Sequence, residues 1–329
     1  MTQRKAVALL SGGLDSMLAA KLMLIQGIAV QGLYLKSPFG CDDDIIHVAR
    51  HLGVPLKIVE KGMDYVELVR NPKYGYGRNM NPCIDCRIYM FEAAERVMKE
   101  VDADFIVTGE VVGQRPMSQR RSALDQIDRD SDMSGLVLRP LSAKHLPPTR
   151  PESEGWVDRE KLLDIAGRGR TVQLQLAMEF GLDGYASPAG GCLLTDTNFS
   201  RKLSDFFAEK QTPTLTEVRL LRYGRHLDLS KGAHLILGRN QAENQKLLSE
   251  SLMEVTEGKR ASFRPLFSGP VAILSGFFEP SLFDEVGRMI SRYAKKGAES
   301  ERRVEVLHGS SVSYLTLAPV SPLELPVLS

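Results

Sequence analysis

The feature that most constrains this chain is a short apolar run that ends directly in a glycine-rich turn. Residues Ala6 to Leu10 are all apolar, as in a strand buried on both faces. The turn Ser11-Gly12-Gly13-Leu14-Asp15-Ser16 follows, and apolar residues then recur at helical spacing from Met17 to Leu24. The sequence therefore predicts a strand that turns tightly into a helix, which is how a parallel α/β sheet begins.

Strands and helices continue to alternate through the rest of the first half. Residues 29–35, 56–59, 105–107 and 136–138 are predicted as strands, and helices are expected to begin near Asp43 and Cys86. This alternation predicts a doubly wound, mostly parallel sheet with helices on both faces. The polar segment 115–134 is expected to be a mobile or substrate-ordered loop.

The chain is long enough for two domains, with 329 residues. A loop rich in small residues, Gly184 to Gly191, ends the alternating region, and we place the boundary just past it. The predicted domains are residues 1–195 and a smaller α+β domain at 196–329. Strands in the second domain are expected near 234–237, 271–274 and 304–307.

The glycine-rich turn has the chemistry of a phosphate-binding loop. Two consecutive glycines allow successive backbone N–H groups to point at one anion, and the helix N-terminus adds partial positive charge. Ser11 and Ser16 supply hydroxyl donors, and Asp15 is a candidate Mg²⁺ ligand. No lysine follows the glycines, in contrast to loops that transfer a γ-phosphate. The turn therefore suits ATP whose pyrophosphate leaves while AMP passes to the substrate.

The four cysteines fall into a patterned set of three and one outlier. Cys83 and Cys86 form a CxxC pair where a loop, entered through Asn81-Pro82, begins a helix, and Cys192 follows two glycines. The sequence has no signal peptide or membrane span, so we expect a cytoplasmic protein with reduced thiols. Ligand or catalytic roles are then favoured over disulfides. Cys41 is interpreted as a free thiol.

The hexapeptide at residues 11–16 resembles the signature of the PP-loop ATP pyrophosphatases, which adenylate a carbonyl oxygen and release pyrophosphate. The order of Asn81-Pro82 with Cys86, then Thr108-Gly109, then Gly191-Cys192 is similar to that of the tRNA 2-thiouridine synthases. This resemblance implies that the hexapeptide and Gly109 bind ATP. It also implies that Cys86 and Cys192 activate sulfur and resolve a persulfide.

Two residues depart from that pattern. Cys83 is an additional cysteine, and Glu110 stands where those enzymes usually carry histidine. With Cys83, the set resembles that of the iron–sulfur-dependent tRNA thiolation enzymes, which implies a [4Fe–4S] cluster held by Cys83, Cys86 and Cys192. A persulfide relay through Cys86 and Cys192 and a structural zinc site remain alternatives, although zinc ordinarily needs a fourth ligand.

The loop after the fourth predicted strand offers further polar groups. Gln114, Arg115, Ser118 and Gln119 lie at the carboxyl edge, where such sheets bind ligands. Contact with a nucleotide or with substrate phosphates and an ordinary polar loop are both open interpretations.

The overall charge excludes a uniformly basic protein, because 42 Lys and Arg residues nearly balance 41 Asp and Glu residues. A local basic face is still compatible with this total. The segment Gly238-Arg239-Asn240 and its surroundings weakly resemble the RNA-binding module of the NFACT proteins. The candidate phosphate-facing residues are Arg219, Arg222, Arg225, Lys231 and Arg239.

The sequence as a whole predicts an ATP-dependent sulfurtransferase that adenylates a carbonyl oxygen, expected to be on a tRNA base, and replaces it with sulfur. The cofactors would be ATP, Mg²⁺ and the cluster, and the partners would be tRNA and a sulfide or persulfide donor, with a homodimer left open. Two alternatives remain. One is a PP-loop amidation or ligation enzyme, and the other is an RNA-binding factor with a nucleotide-sensing domain.

Overall fold

The structure, a computed structural model, describes residues 3–40, 45–185, 192–294 and 302–317. The chain forms two compact units, Met1–Gln211 and Thr212–Ser329. No helix in these ranges is both long enough and apolar enough to cross a bilayer. Cys41 and the predicted tail at 319–329 lie outside the described residues.

The first unit is built around a five-stranded parallel sheet with the order β3-β2-β1-β4-β5. Its strands are β1 (Lys5–Leu9), β2 (Ala29–Lys36), β3 (Leu56–Glu60), β4 (Phe105–Thr108) and β5 (Val137–Leu138). Its helices are α1 (Leu14–Ile25), α2 (Ile45–Leu52), α3 (Met63–Arg70), α4 (Cys83–Glu100), α5 (Arg121–Asp130), α6 (Arg150–Ser153), α7 (Thr171–Glu179) and α8 (Thr197–Glu209). The predicted doubly wound parallel sheet is confirmed.

The central strand β1 is buried on both faces, as its apolar run predicted. Ala6 and Ala8 pack in one core, which includes residues of α1 and α2, whereas Val7 and Leu9 pack in a second core with α4. β1 pairs with β2 on one side and with β4 on the other. The strand order therefore reverses next to β1, and ligands of such sheets bind at the carboxyl ends of the strands at this point.

Segment 115–134 is not a continuous loop, which corrects the sequence prediction. Helix α5 occupies Arg121–Asp130. Its buried residues Ala123, Leu124 and Ile127 recur at helical spacing and pack the helix onto the unit. The high content of charged residues in this segment concealed that short apolar stripe.

The boundary between the two units lies after Gln211 rather than after residue 195. Helix α8 packs with the first unit, where the ring of Phe199 lies 6.4 Å from that of Phe39. Arg70 also donates a hydrogen bond to the carbonyl oxygen of Phe207, at 2.7 Å. These contacts place the helix in the first unit, although it follows the loop that was taken as the boundary.

The second unit is a six-stranded antiparallel sheet with the order β11-β10-β8-β9-β7-β6. Its strands are β6 (Arg225–Asp228), β7 (Ala233–Leu237), β8 (Ala261–Pro265), β9 (Ala272–Gly276), β10 (Arg302–His308) and β11 (Ser311–Leu317), and its helices are α9 (Leu215–Leu220), α10 (Gln241–Thr256) and α11 (Phe283–Tyr293). One core lies between the sheet and α11, and another includes α10. The predicted α+β character is confirmed.

Candidate active site

The predicted phosphate loop joins β1 to α1 and is held by its own hydroxyl groups. Gly12 has a φ of 77°, which favours glycine. Ser16 Oγ donates a hydrogen bond to the carbonyl oxygen of Gly13 at 2.8 Å and accepts one from the backbone N–H of Ser11 at 3.2 Å. The loop is therefore shaped by residues of the motif itself.

Gly109, at the carboxyl end of β4, lies directly against this loop. A Cβ atom at this position would lie 2.4 Å from the backbone carbon of Asp15 and 2.5 Å from the amide nitrogen of Ser16. Both neighbours are backbone, so a larger residue would displace the loop. The sequence placed Gly109 among the ATP-binding residues, and the structure brings it to the loop.

Asp15 has one oxygen that is fully engaged and one that is not. Its Oδ2 accepts from Gln114 Nε2 at 3.1 Å and from Arg170 Nη2 at 3.2 Å. Its Oδ1 is buried and has no hydrogen-bond partner among the described residues. A free carboxylate oxygen beside a phosphate loop is a ligand that Mg²⁺ accepts, so this residue fits the predicted ion.

Cys86, on the first turn of α4, is surrounded by donors. Tyr65 donates from its hydroxyl to Cys86 Sγ at 3.1 Å, and the ammonium of Lys61 lies 3.5 Å from the same sulfur. Burial alone would raise the pKa of Cys86, but Lys61, Tyr65 and Arg87 outweigh burial and lower it. These neighbours therefore favour the thiolate form of Cys86.

The buried ammonium of Lys61 is a second reason to expect the thiolate form of Cys86. The residue is 3% exposed, and its ammonium lies 4.0 Å from the ring centroid of Tyr65. Within the part of the chain that the structure describes, no carboxylate forms an ion pair with it. A buried ammonium is costly unless a negative charge accompanies it. The sulfur of Cys86 is the neighbouring group that can carry that charge.

The two other cysteines of the set have the opposite tendency. Burial and the charge of Cys86 raise the pKa of Cys83. The same two causes raise the pKa of Cys192 to about 11. Cys86 acts electrostatically on both, so Cys83 and Cys192 lie within electrostatic range of it. All three are free of disulfides.

The three thiols do not form a ready metal site. Within the described ranges, no group of three or more His, Cys, Asp or Glu side chains is arranged to hold a metal ion. Two donors, one of them a cation, already approach the sulfur of Cys86. The arrangement fits a thiolate nucleophile better than a closed metal centre, and the cluster stays a prediction.

Glu110, the second departure from the family pattern, is buried in a salt-bridge network. It pairs with Arg139 at 3.0 Å and with Arg87 at 3.4 Å, and Arg139 also pairs with Asp128 at 2.6 Å. Burial alone would lower the pKa of Arg139, but Glu110 and Asp128 raise it. Glu110 thus ties the end of β4 to Arg87, the residue after Cys86, and has a structural role here.

The loop after β4 contributes Arg115, a further cation that interacts electrostatically with the phosphate loop and with two of the thiols. Burial and the neighbouring Arg87 lower the pKa of Arg115, while Asp15, Cys83 and Cys192 act in the opposite direction. The phosphate loop and the thiols therefore both lie within electrostatic range of a single guanidinium. Ser118 and Gln119, from the same loop, are buried.

Three residues of this site were not predicted. Lys61 directly follows β3, so its position at the carboxyl edge of the sheet was a usable signal. Tyr65 lies one helical turn further along, in α3. Arg170, which precedes α7, belongs to no motif and gave no signal.

The predicted basic patch of the second unit is partly neutralised. Arg239 pairs with Glu243 at 2.6 Å, and Arg219 lies 3.7 Å from Glu250. The guanidinium of Arg225 lies 4.8 Å from the ring centroid of Tyr293. The side chain of Lys231 is outside the described residues.

Comparisons with known proteins agree with both predicted resemblances. Residues 1–145 match the family model described as thiamine biosynthesis protein (ThiI), and residues 224–326 match the NFACT protein RNA binding domain. The first 145 residues are thus similar to the ThiI family, in agreement with the predicted PP-loop resemblance. The NFACT resemblance of the second half is also confirmed.

Individual relatives point the same way. The chain is 31% identical over 223 residues to the tRNA-specific 2-thiouridylase MnmA of Pseudoalteromonas atlantica, covering 62% of this chain and 53% of the relative. It is 29% identical over 184 residues to a probable tRNA sulfurtransferase of Thermococcus kodakarensis, covering 54% and 44%. The chain spans about half the length of the curated relatives it matches.

Among solved structures, one similar chain is described as a 4-thiouridine synthetase in complex with RNA and bound ATP. It is 24% identical, with 66% of this chain and 52% of that chain covered and a TM-score of 0.38.

Proposed function

We propose that this protein is an ATP-dependent sulfurtransferase that thiolates a base of tRNA. The carrying observation is the buried Lys61–Tyr65–Cys86 contact, which lowers the pKa of Cys86 in the unit that also carries the phosphate loop. The family match over residues 1–145 and the relatives named as tRNA-thiolating enzymes support this interpretation. The RNA-binding match over residues 224–326 supports tRNA as the partner.

The first step is activation of the base by ATP. The carbonyl oxygen of the base attacks the α-phosphorus, the bond from that phosphorus to pyrophosphate breaks, and pyrophosphate leaves. Backbone N–H groups of residues 11–16 and the α1 N-terminus stabilise the departing charge. Mg²⁺, when held by Asp15, would supply additional positive charge to the phosphates.

The second step replaces oxygen by sulfur. The Cys86 thiolate takes a sulfur atom from a persulfide donor, and the terminal sulfur of the new persulfide attacks the activated carbon, so that AMP leaves. The base is then joined to Cys86 through a disulfide. A second thiolate attacks the sulfur of Cys86, which releases the thiolated base and leaves a protein disulfide for a thiol reductant to reopen.

Cys192 suits the role of that second thiolate because its pKa depends on the charge of Cys86. Burial and the negative charge of Cys86 keep Cys192 protonated at neutral pH. Once Cys86 is bonded to sulfur it no longer carries this charge, and one of the two causes disappears. Cys192 then ionises more readily, at the stage when a second nucleophile is needed.

The test is anaerobic purification followed by incubation with unmodified tRNA, ATP and a persulfide donor. Thiouridine is measured in nucleoside digests by mass spectrometry, and pyrophosphate release is measured in parallel. We expect thiouridine to form in amounts that match the AMP released. Pyrophosphate release with incorporation of nitrogen instead of sulfur would favour the amidation alternative, and tRNA binding without ATP cleavage would favour the RNA-binding factor.

The predicted cluster is examined on the same preparation by iron and sulfide analysis and by the visible absorption spectrum. Near-stoichiometric iron and sulfide would assign Cys83, Cys86 and Cys192 as ligands, and sulfur delivery would then be reassigned to the cluster. An iron-free protein that still thiolates tRNA would establish the persulfide relay. Cys83→Ser separates the two, because the relay does not use Cys83.

A further inference from the structure

The phosphate loop has no cation of its own. Residues 11–16 include neither lysine nor arginine, and they include an aspartate. A triphosphate carries several negative charges, and proteins ordinarily match them with arginine, lysine or metal ions. Positive charge for the nucleotide beyond that of a metal ion must therefore come from another part of the chain.

Arg170 is placed to supply it. Its Nη2 lies 3.2 Å from Asp15 Oδ2, and its side chain is 27% exposed, so it touches the loop and still reaches open space. Among the described residues it is the cation that forms an ion pair with the phosphate loop. The family match ends at residue 145, well before this position.

The backbone before Arg170 is anchored at the site. Ala166 forms a β-bridge with Val112, and the backbone N–H of Gly167 donates to the carbonyl oxygen of Val112 at 2.8 Å. Val112 belongs to the loop that follows β4 and also carries Gln114, the other donor to Asp15. The segment that precedes α7 and the loop after β4 thus form one wall beside the phosphate loop.

Several buried polar atoms in these segments lack partners. Asp15 Oδ1, Gln119 Oε1 and both side-chain polar atoms of Gln173 are buried without a hydrogen bond among the described residues. Gln119 and Gln173 are 3% and 0% exposed. Native proteins rarely leave buried polar atoms unpaired. Gln26, Glu110 and Ser291 also carry such atoms, so the one that bears on a ligand is Asp15 Oδ1, which belongs to the phosphate loop itself.

We propose that Arg170 is a nucleotide ligand that exchanges partners, leaving Asp15 for the triphosphate when Mg²⁺ and ATP bind. Mg²⁺ at the free oxygen of Asp15 would place two cations on one carboxylate, which weakens its pairing with Arg170. A phosphate group offers the guanidinium a stronger, bidentate partner. The inference rests on the proposed use of ATP and is independent of the sulfur chemistry.

The experiment measures equilibrium binding by calorimetry, with the α,β-methylene analogue of ATP and with AMP, each with and without Mg²⁺. Arg170→Met is compared with the native protein and with Arg168→Met, an exposed arginine two residues away. We expect Arg170→Met to weaken binding of the Mg²⁺-bound analogue by about ten- to a hundredfold, since hydrogen bonds to charged groups contribute about 1.5–3 kcal/mol. Binding of AMP should change by less than about threefold in either arginine variant.

Removal of Mg²⁺ tests the exchange itself. Without the ion, Arg170 of the native protein stays with Asp15, so the difference between native protein and Arg170→Met should shrink to a few-fold. Equal weakening of AMP and of the analogue, or an unchanged affinity for the analogue, would show that Arg170 only supports the loop. Thermal melting verifies the fold. If Arg170→Met melts early, Arg170→Lys replaces it and should lose affinity for the analogue but not for AMP.

These results are separable from the proposed function. Selective loss of triphosphate binding would support the role of Arg170 even if no thiouridine formed. Conversely, thiouridine formation with an Arg170→Met protein that binds the analogue normally would overturn the inference and leave the proposed function intact.

Discussion

The two units of this protein differ in how completely their buried and partly buried charged side chains are paired. In the second unit, Arg260 is 4% exposed and contacts both Glu254 and Glu217, while Arg239 pairs with Glu243. In the first unit, Lys61 is as deeply buried but faces a thiol, and one oxygen of Asp15 has no partner among the described residues. Charges that are fully paired stabilise a fold, whereas buried charges with remaining capacity indicate a site for chemistry or a ligand.

The first unit contains its own internal control for this comparison. Glu110 and Arg139 are as buried as Lys61 and lie at the same sheet edge, but they pair with each other and with Asp128 and Arg87. Burial of charge by itself therefore does not mark the site. What distinguishes Lys61 is that no carboxylate among the described residues pairs with it. An oxygen without a hydrogen bond is not distinctive by itself, because Glu110 Oε1 also has none and lies only within ion-pair range of Arg87.

The largest expected effect is on stability, from Arg139→Met. This change leaves the buried Glu110 with Arg87 alone and the half-buried Asp128 without Arg139, and breaking a buried pair costs about 3–5 kcal/mol. Urea denaturation of the native protein, of Arg139→Met and of the exposed control Arg129→Met measures it. A loss below about 1 kcal/mol would mean that the network does not stabilise the fold and that the contrast with Lys61 fails.

The second effect is on activity, from Lys61→Met. Without the ammonium the thiolate of Cys86 loses its principal counter-charge, and we expect sulfur transfer to fall by about a hundredfold. Binding of the ATP analogue should remain within about twofold, since Lys61 is not among the contacts of Asp15. Lys99→Met, on the exposed side of α4, is the matched control. Full activity of Lys61→Met would remove the central argument for Cys86.

The third prediction concerns pH and separates the cysteines. The pKa of Cys86 is lowered, so its thiolate persists below the usual range and is lost only when the pH falls through that lowered value. The pKa of Cys192 is raised to about 11, so it stays a thiol at pH 8. Iodoacetamide at pH 8 should label Cys86 at least about tenfold faster, because a thiolate is the reactive form of cysteine. Peptide mass spectrometry measures both rates on iron-free protein, and faster labelling of Cys192 would reverse the assigned roles.

The smallest effect is expected in the second unit. Arg239 is held by Glu243, so Arg239→Gln should change tRNA affinity by less than about twofold. Arg225 stacks on Tyr293, and Arg225→Gln should weaken binding several-fold and reduce the salt dependence by about one counterion. Filter binding across a salt series compares them. An equal loss of tRNA affinity in both variants would show that ion pairing does not determine which arginine contacts RNA.

Local patterns were sufficient for the start of the parallel sheet in the first unit but not for all of its helices. The continuous apolar run of β1, the glycine turn and the helical spacing of α1 act over a few residues, so they could be interpreted without the structure. Helix α5 was missed because only three of its ten residues are buried, within a charged segment. Helix α8 was assigned to the wrong unit because its partners, Phe39 and Arg70, lie far earlier in the chain.

The sequence by itself determined the parallel sheet, and it predicted the phosphate loop with Gly109 and the set of three cysteines. Each depends on residue types at short spacing along the chain. Covalent geometry and local burial are then enough to determine the local structure. The tertiary structure alone decided that Lys61 and Tyr65 face Cys86, that Arg170 holds Asp15, and that Glu110 is structural. These contacts join segments separated by 21 to 155 residues. Electrostatic interaction depends on distance in space, which no local pattern contains.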